Sequence, residues 1–248
     1  MKTLTAVITG GTSGIGKAVA NRLATEGCTK LFLLARNTFS LKQTATELAE
    51  TFPQCSVEMI QADVTKFEQV KAAFEAIGKT VEQIDYLFLA AGDSRSEKLA
   101  ESRNEKDFVY DLEVNLVGTY SCMLCAKPLL GQGSSVVTVS SIRGQLPSPS
   151  GLGYAAAKGG MFALTRSAAL QLAPDGIRVN CVAPSAVYPT GMSGHWSKPK
   201  RAMIRESMPL KFIPNPDDIA NAVWFLLSPQ SRAITGQTLS CNAGDFMA

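Results

Sequence analysis

Apolar runs of four to seven residues recur along the 248-residue chain, and stretches with the apolar spacing of helices separate most of them. The seven runs read LTAVIT, KLFLLA, SVEMIQ, DYLFLA, SSVVTVS, IRVNCVA and QTLS. Strands that alternate with helices favour βαβ units and a parallel sheet covered on both faces, which explains why several runs are almost wholly apolar. The pattern predicts an α/β fold, a doubly wound seven-stranded parallel sheet with helices on both faces.

No linker or internal repeat interrupts this alternation, so we expect residues 1–248 to form a single domain. One irregular stretch, residues 185–212, lies late in the chain. Loops of that length in compact domains usually carry function, and we therefore predict a substrate loop in this region.

The composition argues against several classes of protein. With 46% hydrophobic and 18% charged residues, the chain has enough apolar side chains for a substantial core. A formal net charge of +3 is too small to indicate a nucleic-acid partner. The sequence MKTLTAVITGG lacks the apolar segment of a signal peptide, and no run approaches the roughly 18 apolar residues of a membrane span. We expect a cytoplasmic protein with no nucleic-acid or membrane partner.

Six cysteines are scattered through apolar runs, as is typical of small buried residues in reducing compartments. Cys122 and Cys125 form a CxxC, but no second cysteine pair or histidine lies nearby in the sequence to complete a zinc site. We expect these two side chains to pack in a core or an interface, and we expect no metal.

A glycine-rich turn, TGGTSGIG, lies between the first predicted strand and the first predicted helix. Glycines let the backbone turn tightly and approach a pyrophosphate, whose charge is met by free N–H groups and the positive end of the helix dipole. The spacing differs from the GxGxxG of Rossmann folds, but the position in the chain favours a dinucleotide site. The predicted cofactor-binding residues of the turn are Gly10, Thr12, Ser13, Gly14, Ile15 and Gly16.

The end of the second predicted strand, LLARN, indicates which dinucleotide binds. An acidic residue at this place binds the ribose 2′-hydroxyl of NAD, whereas here Ala35 is followed by Arg36 and Asn37. Because a guanidinium suits a phosphate that a carboxylate would repel, the sequence predicts NADP(H), with Arg36 and Asn37 as cofactor-binding residues.

The segment QADVT places Asp63 and Val64 after the third strand, where we expect both to bind the cofactor. Two interpretations of Asp63 are open. Its carboxylate bonds the adenine amino group, or it caps the helix that begins near Thr65.

The segment GYAAAK places Tyr154 and Lys158 one helical turn apart on one face. A neighbouring ammonium favours the ionised phenol, so we expect Lys158 to lower the pKa of Tyr154 from its usual value of about 10. Tyr154 would then be a general acid or base. Such pairs also occur on solvated helix faces, so this pair alone does not decide the function.

Together these motifs resemble the short-chain dehydrogenases/reductases over nearly the whole chain. TGGTSGIG resembles the TGxxxGxG turn of that family, YAAAK its YxxxK, VTVSSIRG its fifth strand and EVNLVG the segment that supplies its asparagine. Ser141 precedes Tyr154 by thirteen residues, the family's usual separation, and is therefore preferred to Ser140. Within the family, the chain is similar to 3-oxoacyl-carrier-protein reductases.

The resemblance implies catalytic roles for Ser141, Tyr154, Lys158 and Asn115. Tyr154 would give its proton to a substrate carbonyl oxygen while Ser141 holds that oxygen. Lys158 would lower the tyrosine pKa and bind the nicotinamide ribose, so that Tyr154 and Lys158 also count among the cofactor-binding residues. Asn115 would hold a water that links Lys158 to solvent.

One departure from the family pattern follows the fourth strand. The usual NNAG reads LAAG, so Leu89 and Ala90 replace two asparagines and the hydrogen bonds of their side chains are missing. The backbone of Ala91 and Gly92 is still expected to approach the cofactor ribose.

A second departure follows the sixth strand, where the usual PG reads Pro184 and Ser185. In the following AVYPTGM, Val187 is expected to bond the cofactor carboxamide through its backbone, and Thr190 lies one residue later than the family's usual threonine. We expect Pro184, Val187 and Thr190 to line the nicotinamide end of the site with altered geometry, and catalysis to be retained.

Two features indicate an anionic or carrier-bound substrate. Arg143 lies two residues beyond Ser141, on a loop that lines the pocket in this family, and HWSKPKRAMIRESMPLK carries five basic side chains against Glu206. Such a surface attracts a carboxylate, a coenzyme A thioester or an acyl carrier, and a solvated basic loop is an equally open interpretation. His195 and Trp196 in the same loop are expected to close over the substrate, with no catalytic role for the histidine.

The predicted function is that of an NADPH-dependent reductase that transfers hydride to a ketone carbonyl, with 3-oxoacyl thioesters and biosynthetic ketones as candidate substrates. Two alternatives are open: an NADP-dependent alcohol dehydrogenase of the same fold, and a cofactor-binding regulator without turnover. Retention of Ser141, Tyr154 and Lys158 argues against the regulator. The resemblance also implies a homodimer or homotetramer formed through the fourth and fifth helices.

Overall fold

The computed structural model of the protein describes residues 4–95, 99, 105–148 and 151–247. The strands of these residues are β1 (Thr5–Thr9), β2 (Lys30–Ala35), β3 (Ser56–Gln61), β4 (Tyr86–Leu89), β5 (Ser135–Val139), β6 (Arg178–Pro184) and β7 (Thr238–Cys241). Each strand coincides with one of the apolar runs to within about one residue at either end, so the predicted strands are confirmed.

All strands are parallel and are hydrogen-bonded in the order β3-β2-β1-β4-β5-β6-β7. The chain moves outward from β1 to β3, returns to the other side of β1 with β4, and continues outward to β7. The direction reverses between β1 and β4, and ligands of such sheets bind beyond the carboxyl ends of the strands at this reversal. The predicted doubly wound fold is confirmed.

Helices cover the sheet between the strands. In the described residues they are α1 (Gly14–Thr25), α2 (Thr38–Thr51), α3 (Phe67–Gly78), α4 (Lys106–Leu112), α5 (Gly118–Ala126), α6 (Leu152–Leu172), α7 (Lys198–Ser207) and α8 (Pro216–Leu227). None of them is long and apolar enough to cross a membrane. A π-helical turn, Glu113–Val117, separates α4 from α5, so the predicted fourth helix is divided at Asn115.

Two apolar layers enclose the sheet. Ala6 and Ile8 of β1 pack in one layer with side chains of α1, α2 and α8. Val7 packs in the other layer with side chains of α3, α5 and α6. Neighbouring residues of a strand point to opposite faces, so a strand covered on both sides must be apolar at nearly every position.

The irregular region predicted at residues 185–212 contains a helix. Ser197 accepts a hydrogen bond from the Lys200 N–H, and Pro199 occupies the first turn of α7. No residue of α7 is buried, so this helix lies on the surface. The expectation of irregular structure is wrong for residues 198–207, and the cap formed by Ser197 and Pro199 was the signal that identifies the helix.

The six cysteines are free thiols. Cys122 is buried in the layer formed by α3, α5 and α6, and burial raises the pKa of its thiol to about 12. Cys125 is partly buried beside the same layer. These positions agree with the packing role expected for the CxxC.

Arg178, the first residue of β6, ties the carboxyl end of α8 to the sheet. Its Nη1 donates to the carbonyl oxygen of Leu226 (2.8 Å), and its Nη2 donates to those of Leu227 (2.9 Å) and Ser228 (3.0 Å). The last carbonyls of a helix have no partner within the helix, and a cation there also meets the negative end of the helix dipole. One side chain therefore satisfies three backbone acceptors at once.

We predict that Arg178→Met lowers the free energy of unfolding by about 3 kcal/mol and the melting temperature by roughly 6 to 12 °C. The reason is that several partly buried carbonyls lose a charged donor. Arg232→Met, at an exposed arginine just after α8, is the matched control and should change stability by less than about 0.5 kcal/mol. Thermal melts followed by circular dichroism provide the measurement, and equal melting temperatures for the two variants would contradict the role of Arg178.

Candidate active site

Ser141, Tyr154 and Lys158 meet at the carboxyl end of β5. Ser141 lies two positions beyond Val139, the last residue of the strand, and its Oγ accepts a hydrogen bond from the Arg143 N–H (3.2 Å). Tyr154 lies in the first turn of α6, and a hydrogen bond with the Ser141 side chain acts to lower its pKa. Lys158 follows one turn later, with its Nζ 5.4 Å from the centroid of the Tyr154 ring. Three of the predicted catalytic side chains therefore lie together.

Lys158 is buried between α6 and the sheet. Its Nζ donates to the carbonyl oxygen of Val139 (2.8 Å), and its own carbonyl oxygen accepts from the Ser140 hydroxyl (2.6 Å). Loss of solvent lowers the pKa of Lys158 to about 8, against a smaller opposing effect of Cys181. Because Ser140 holds α6 against β5, Ser141 is the hydroxyl left beside the phenol of Tyr154.

Burial raises the pKa of Tyr154 above its usual value. The hydrogen bond with Ser141 opposes this increase, the charge of Asp111 adds to it, and the charge of Arg143 opposes it. The prediction that Lys158 lowers the pKa of Tyr154 is therefore wrong in this structure, because loss of solvent disfavours the phenolate more than its neighbours stabilise it. Tyr154 holds its proton at neutral pH and can act as an acid.

Asn115 is buried in the π-helical turn between α4 and α5. Its Nδ2 donates to the carbonyl oxygens of Asp93 (2.6 Å) and Asp111 (2.9 Å). Its buried Oδ1 has no hydrogen-bond partner in the described part of the chain. A Cβ on Gly92 would lie 2.8 Å from this oxygen and 3.8 Å from the Lys158 Nζ, so both polar atoms flank one glycine. An unpaired buried acceptor beside an ammonium suits a water or a hydroxyl of a ligand.

The glycine turn leaves the amino end of α1 open to an anion. Gly10 and Gly14 have φ angles of +67° and +49°, and a Cβ on Gly16 would lie 2.1 Å from the Gly10 carbonyl oxygen. Only glycine fits these positions. Ser13 is the N-cap of α1, but its side chain makes no capping hydrogen bond, so the first N–H groups of the helix have no side-chain acceptor from this residue. These features fit the pyrophosphate of a dinucleotide.

Two other predicted residues of this turn have structural contacts. The Thr12 carbonyl oxygen accepts a hydrogen bond from the Thr44 hydroxyl of α2 (3.3 Å). Ile15 packs against the apolar layer that contains α1 and α8. Both contacts fix the turn against its neighbours, and the cofactor-binding role of both residues stays a prediction.

The segment after β4 is held by Thr9. The Thr9 Oγ1 accepts hydrogen bonds from the N–H groups of Ala90 and Ala91, both at 3.1 Å. These bonds keep the segment in place without the asparagine side chains that the family carries there. The backbone of Ala91 and Gly92 therefore remains at the edge of the crevice.

The side chains of Arg36 and Asn37 both have hydrogen-bond partners within the chain. The Arg36 Nη1 donates to the Tyr110 hydroxyl (2.9 Å), and its Nη2 lies 3.6 Å from the Asp93 carboxylate. Asn37 is the N-cap of α2, where its Oδ1 accepts from the Ser40 N–H (3.0 Å). Asn37 therefore caps α2, and its role as a cofactor-binding residue stays a prediction.

The helix-cap interpretation of Asp63 is wrong, and the adenine interpretation stays a prediction. Its Oδ1 accepts from the N–H (2.9 Å) and the hydroxyl (2.8 Å) of Thr65, whereas α3 begins at Phe67 with a different residue as N-cap. Asp63 therefore closes a turn just before the helix instead of capping it. The side chain of Val64 is buried, and a Cβ on Gly118 would lie 2.9 Å from it.

The segment after β6, whose last residue is Pro184, reaches back to the glycine turn. A Cβ on Gly14 would lie 3.2 Å from the Thr190 Cβ. Ser193 links Thr190 to Val187, because its Oγ lies 2.9 Å from the Thr190 Oγ1 and donates to the Val187 carbonyl oxygen (2.6 Å). The displaced threonine therefore remains next to the amino end of α1, connected to Val187 through a serine.

The substrate residues predicted on the loops lie at or near the surface. Arg143 is exposed, and its charge lowers the pKa of Tyr154, so it acts on the same site. His195 is exposed as well. The ring of Trp196 stacks on Tyr188 with a centroid distance of 6.4 Å, and the Lys200 Nζ lies 5.2 Å from the Trp196 ring centroid. Trp196 is thus held by its own loop.

Four residues near the site were not predicted from the sequence: Asp93, Tyr110, Asp111 and Ser193. Asp93 directly follows Gly92 in AAGD, shortly after the fourth apolar run, and polar residues just after a parallel strand are candidate ligand positions. Asp111 is buried four residues before Asn115, so both share one helix face. Tyr110 and Ser193 carry no signal in the sequence, because their contacts join distant segments. No group of three or more His, Cys, Asp or Glu side chains among the described residues can hold a metal.

Comparison with known proteins identifies chains that are similar along almost the whole length. The sequence model of the family described as "Enoyl-(Acyl carrier protein) reductase" matches residues 10–245. A 3-oxoacyl-[acyl-carrier-protein] reductase FabG of Staphylococcus epidermidis is 32% identical over 246 residues, which cover 98% of each chain. The carbonyl reductase family member 4 of Danio rerio is 35% identical over 240 residues, which cover 96% of each chain.

A solved structure has the same fold. The short-chain dehydrogenase/reductase of Brucella melitensis, also described as a glucose/ribitol dehydrogenase, superposes with a TM-score of 0.91 at 29% identity, and the match covers 100% of both chains.

The buried ammonium predicts a pH dependence of stability. Folding lowers the pKa of Lys158 from 10.5 to about 8, so between these values the unfolded state binds a proton that the folded state does not. Stability contributed by this group therefore rises with pH in that window and is lowest below pH 8. We expect the melting temperature of the protein to rise relative to that of Lys158→Met between pH 7.5 and about 10. Lys42→Met, at an exposed lysine of α2, is the control. If the melting temperatures of Lys158→Met and Lys42→Met changed equally with pH, the burial of the Lys158 ammonium would be contradicted.

Proposed function

The chain belongs to the short-chain dehydrogenase/reductase family, and from this we propose that it is an NADPH-dependent reductase of ketone carbonyls. The observation that carries the proposal is the meeting of Ser141, Tyr154 and the buried Lys158, with the Lys158 Nζ 5.4 Å from the centroid of the Tyr154 ring. All three lie beyond the carboxyl end of β5. The glycine turn that follows β1 lies at the same end of the parallel strands.

The residues of the site suit the reduction of a carbonyl group. Ser141 donates a hydrogen bond to the substrate oxygen and stabilises the negative charge that develops there. Tyr154, protonated at neutral pH, transfers its proton to that oxygen. Lys158 stabilises the phenolate that remains. When bound, the nicotinamide supplies the hydride.

Several residues would hold the cofactor. The turn Gly10–Gly16 and the amino end of α1 suit its pyrophosphate, and Arg36 suits a 2′-phosphate. The backbone of Ala91 and Gly92 would lie against the adenosine ribose, and Lys158 would bond the nicotinamide ribose. The segment 184–190 would lie against the carboxamide. The unpaired Oδ1 of Asn115 supports a water or hydroxyl beside Lys158.

A 3-oxoacyl thioester, carried by coenzyme A or an acyl carrier, is the substrate class that we favour. Relatives similar along almost the whole chain are described as 3-oxoacyl-[acyl-carrier-protein] reductases. The charge of Arg143 acts on Tyr154, and α7 carries four basic side chains against one acidic residue, so an anionic substrate meets favourable charge at the entrance.

Two alternatives are weaker. An alcohol dehydrogenase needs Tyr154 to accept a proton, and a raised pKa favours the protonated donor instead. A regulator without turnover was suggested by the altered NNAG and PG segments, yet Thr9 and Ser193 support those segments in other ways. The location in the cytoplasm stays a prediction.

We also propose that the protein forms a homo-oligomer through α4, α5 and α6. Large apolar side chains on these helices and the π-helical turn between them are at least 38% exposed, namely Phe108, Val109, Val117, Tyr120, Leu124, Leu152 and Leu170. Burial of such a face in a second copy would remove apolar surface from water. Light scattering that gave the mass of one chain would contradict this proposal.

The test of the proposed reaction follows NADPH oxidation with neutral ketones, keto acids, 3-oxoacyl thioesters and enoyl thioesters. We expect turnover of a 3-oxoacyl thioester and a loss of at least about 100-fold in kcat for Tyr154→Phe, because the proton donor is removed. Tyr86→Phe, which makes the same change at the first residue of β4, at the opposite end of the strands from the site, is the control. Binding of NADPH without turnover of any substrate would favour the regulator.

Arg143→Met tests the substrate charge. Loss of the guanidinium should raise KM about tenfold for keto acids and thioesters and leave KM for neutral ketones within about twofold, because only the anions lose an attraction. The measurement compares KM across the two substrate groups in the same variant. An equal increase for neutral ketones would show that Arg143 shapes the pocket instead of attracting charge.

A further inference from the structure

Three side chains connect the segments that follow β2 and β4, and we call them the Arg36 bridge: Arg36, Tyr110 and Asp93. Arg36 donates to the Tyr110 hydroxyl (2.9 Å), and that hydroxyl donates to the Asp93 Oδ2 (2.9 Å). The Arg36 Nη2 lies 3.6 Å from the same carboxylate oxygen. Each of the three side chains therefore contacts the other two.

The Arg36 bridge lies over the carboxyl end of β1. Arg36 directly follows β2, and Asp93 comes four residues after the end of β4. Because β1 lies between β2 and β4 in the sheet, a contact between these two segments must span the end of β1, where the glycine turn begins. The Arg36 bridge therefore lies at the adenosine end of the crevice, where side chains after the second strand bind the 2′-hydroxyl or 2′-phosphate of a cofactor in this fold.

The backbone on both sides of the Arg36 bridge is held in place. The Asp93 carbonyl oxygen accepts from the Asn115 Nδ2 (2.6 Å), and the Asp93 Oδ1 accepts from the Ser94 N–H (2.9 Å). The Arg36 carbonyl oxygen accepts from the Gln61 Nε2 (3.2 Å). The carboxylate is therefore presented to Arg36 by a fixed segment.

The surroundings of Tyr110 keep its hydroxyl a hydrogen-bond donor to Asp93. The guanidinium of Arg95 covers its ring at 3.6 Å from the centroid. Burial, followed by the hydrogen bond to Asp93, raises the pKa of Tyr110, so the phenol keeps its proton. Tyr110 is a positioning residue that holds Arg36 and Asp93 on opposite sides of one hydroxyl.

The end of β2 carries Ala35 where an NAD-binding protein of this fold carries an acid, and the Arg36 bridge supplies a carboxylate from another strand. A 2′-phosphate needs the guanidinium that Asp93 partly neutralises, and the carboxylate repels the phosphate. A ribose 2′-hydroxyl, in contrast, can donate to a carboxylate.

We propose that Asp93 is a cofactor-specificity residue that competes with the 2′-phosphate of NADP(H) for Arg36 and thereby narrows the preference for NADP(H) over NAD(H). The proposal rests on the cofactor proposed above. It assigns opposite effects to two residues that touch each other: Arg36 strengthens phosphate binding, and Asp93 weakens it.

The test measures binding of 2′,5′-ADP and 5′-AMP to the full-length protein by calorimetry, because these probes differ only in the 2′-phosphate and need no turnover. Asp93→Asn keeps an acceptor for Tyr110 and removes the charge. We expect it to tighten 2′,5′-ADP binding about fivefold and to leave 5′-AMP binding within about twofold. Asp175→Asn makes the same charge change beside Lys127, just before β6 and thus at the amino end of the strands, and should alter the binding of neither probe.

Arg36→Met separates this inference from the proposed cofactor. We expect it to weaken 2′,5′-ADP binding at least tenfold and to leave 5′-AMP binding nearly unchanged. If Arg36→Met has no effect, the proposed NADP(H) preference is wrong. If Arg36→Met acts as expected but Asp93→Asn leaves 2′,5′-ADP binding unchanged or weakens it, the NADP(H) preference stands and the competition by Asp93 is overturned.

Discussion

The hydrogen bond from the buried Lys158 ammonium to the Val139 carbonyl oxygen fixes the geometry of the site. It joins α6 to the last residue of β5, and Ser140 strengthens the same junction by donating to the Lys158 carbonyl oxygen. Tyr154 lies one turn before Lys158 and Ser141 lies two residues after Val139, so fixing this junction also brings the phenol to the serine. Burial of a cation among uncharged atoms costs free energy, and the hydrogen bond to the Val139 carbonyl oxygen offsets part of that cost.

Burial acts on Tyr154 and Lys158 in opposite directions, and both changes favour the neutral form. The pKa of the phenol rises and that of the ammonium falls to about 8. The protonated tyrosine is the form that a reductase needs before the reaction, whereas a nearby cation matters most after the proton has left. In the proposed reaction, the same low-dielectric setting would keep Tyr154 protonated before proton transfer and would strengthen the stabilisation of the phenolate by Lys158.

The sequence allowed the sheet and the meeting of Ser141, Tyr154 and Lys158 to be predicted because both depend on short-range patterns. Apolar runs define the strands, and the spacing of Tyr154 and Lys158 places them on one helix face. The predicted direction of the Tyr154 pKa change was wrong because desolvation depends on how α6, β5 and α4 pack together. The spacing of residues in the sequence does not reveal that packing. Other features were missed for different reasons. The link from Arg36 to Asp93 joins distant segments of the chain, whereas the helix at residues 198–207 depends on a local cap within a basic loop. The π-helical turn at Asn115 had no signal in the sequence.

The central claim, that this site delivers hydride and a Tyr154 proton to a ketone carbonyl, is tested most directly by isotope transfer. NADPH deuterated at the transferred position would be incubated with a 3-oxoacyl thioester, and the product would be analysed by mass spectrometry. The account predicts one deuterium on the new carbinol carbon, formed by the wild-type protein and almost absent with Tyr154→Phe. An alcohol product without deuterium, or equal labelling by Tyr154→Phe, would contradict it.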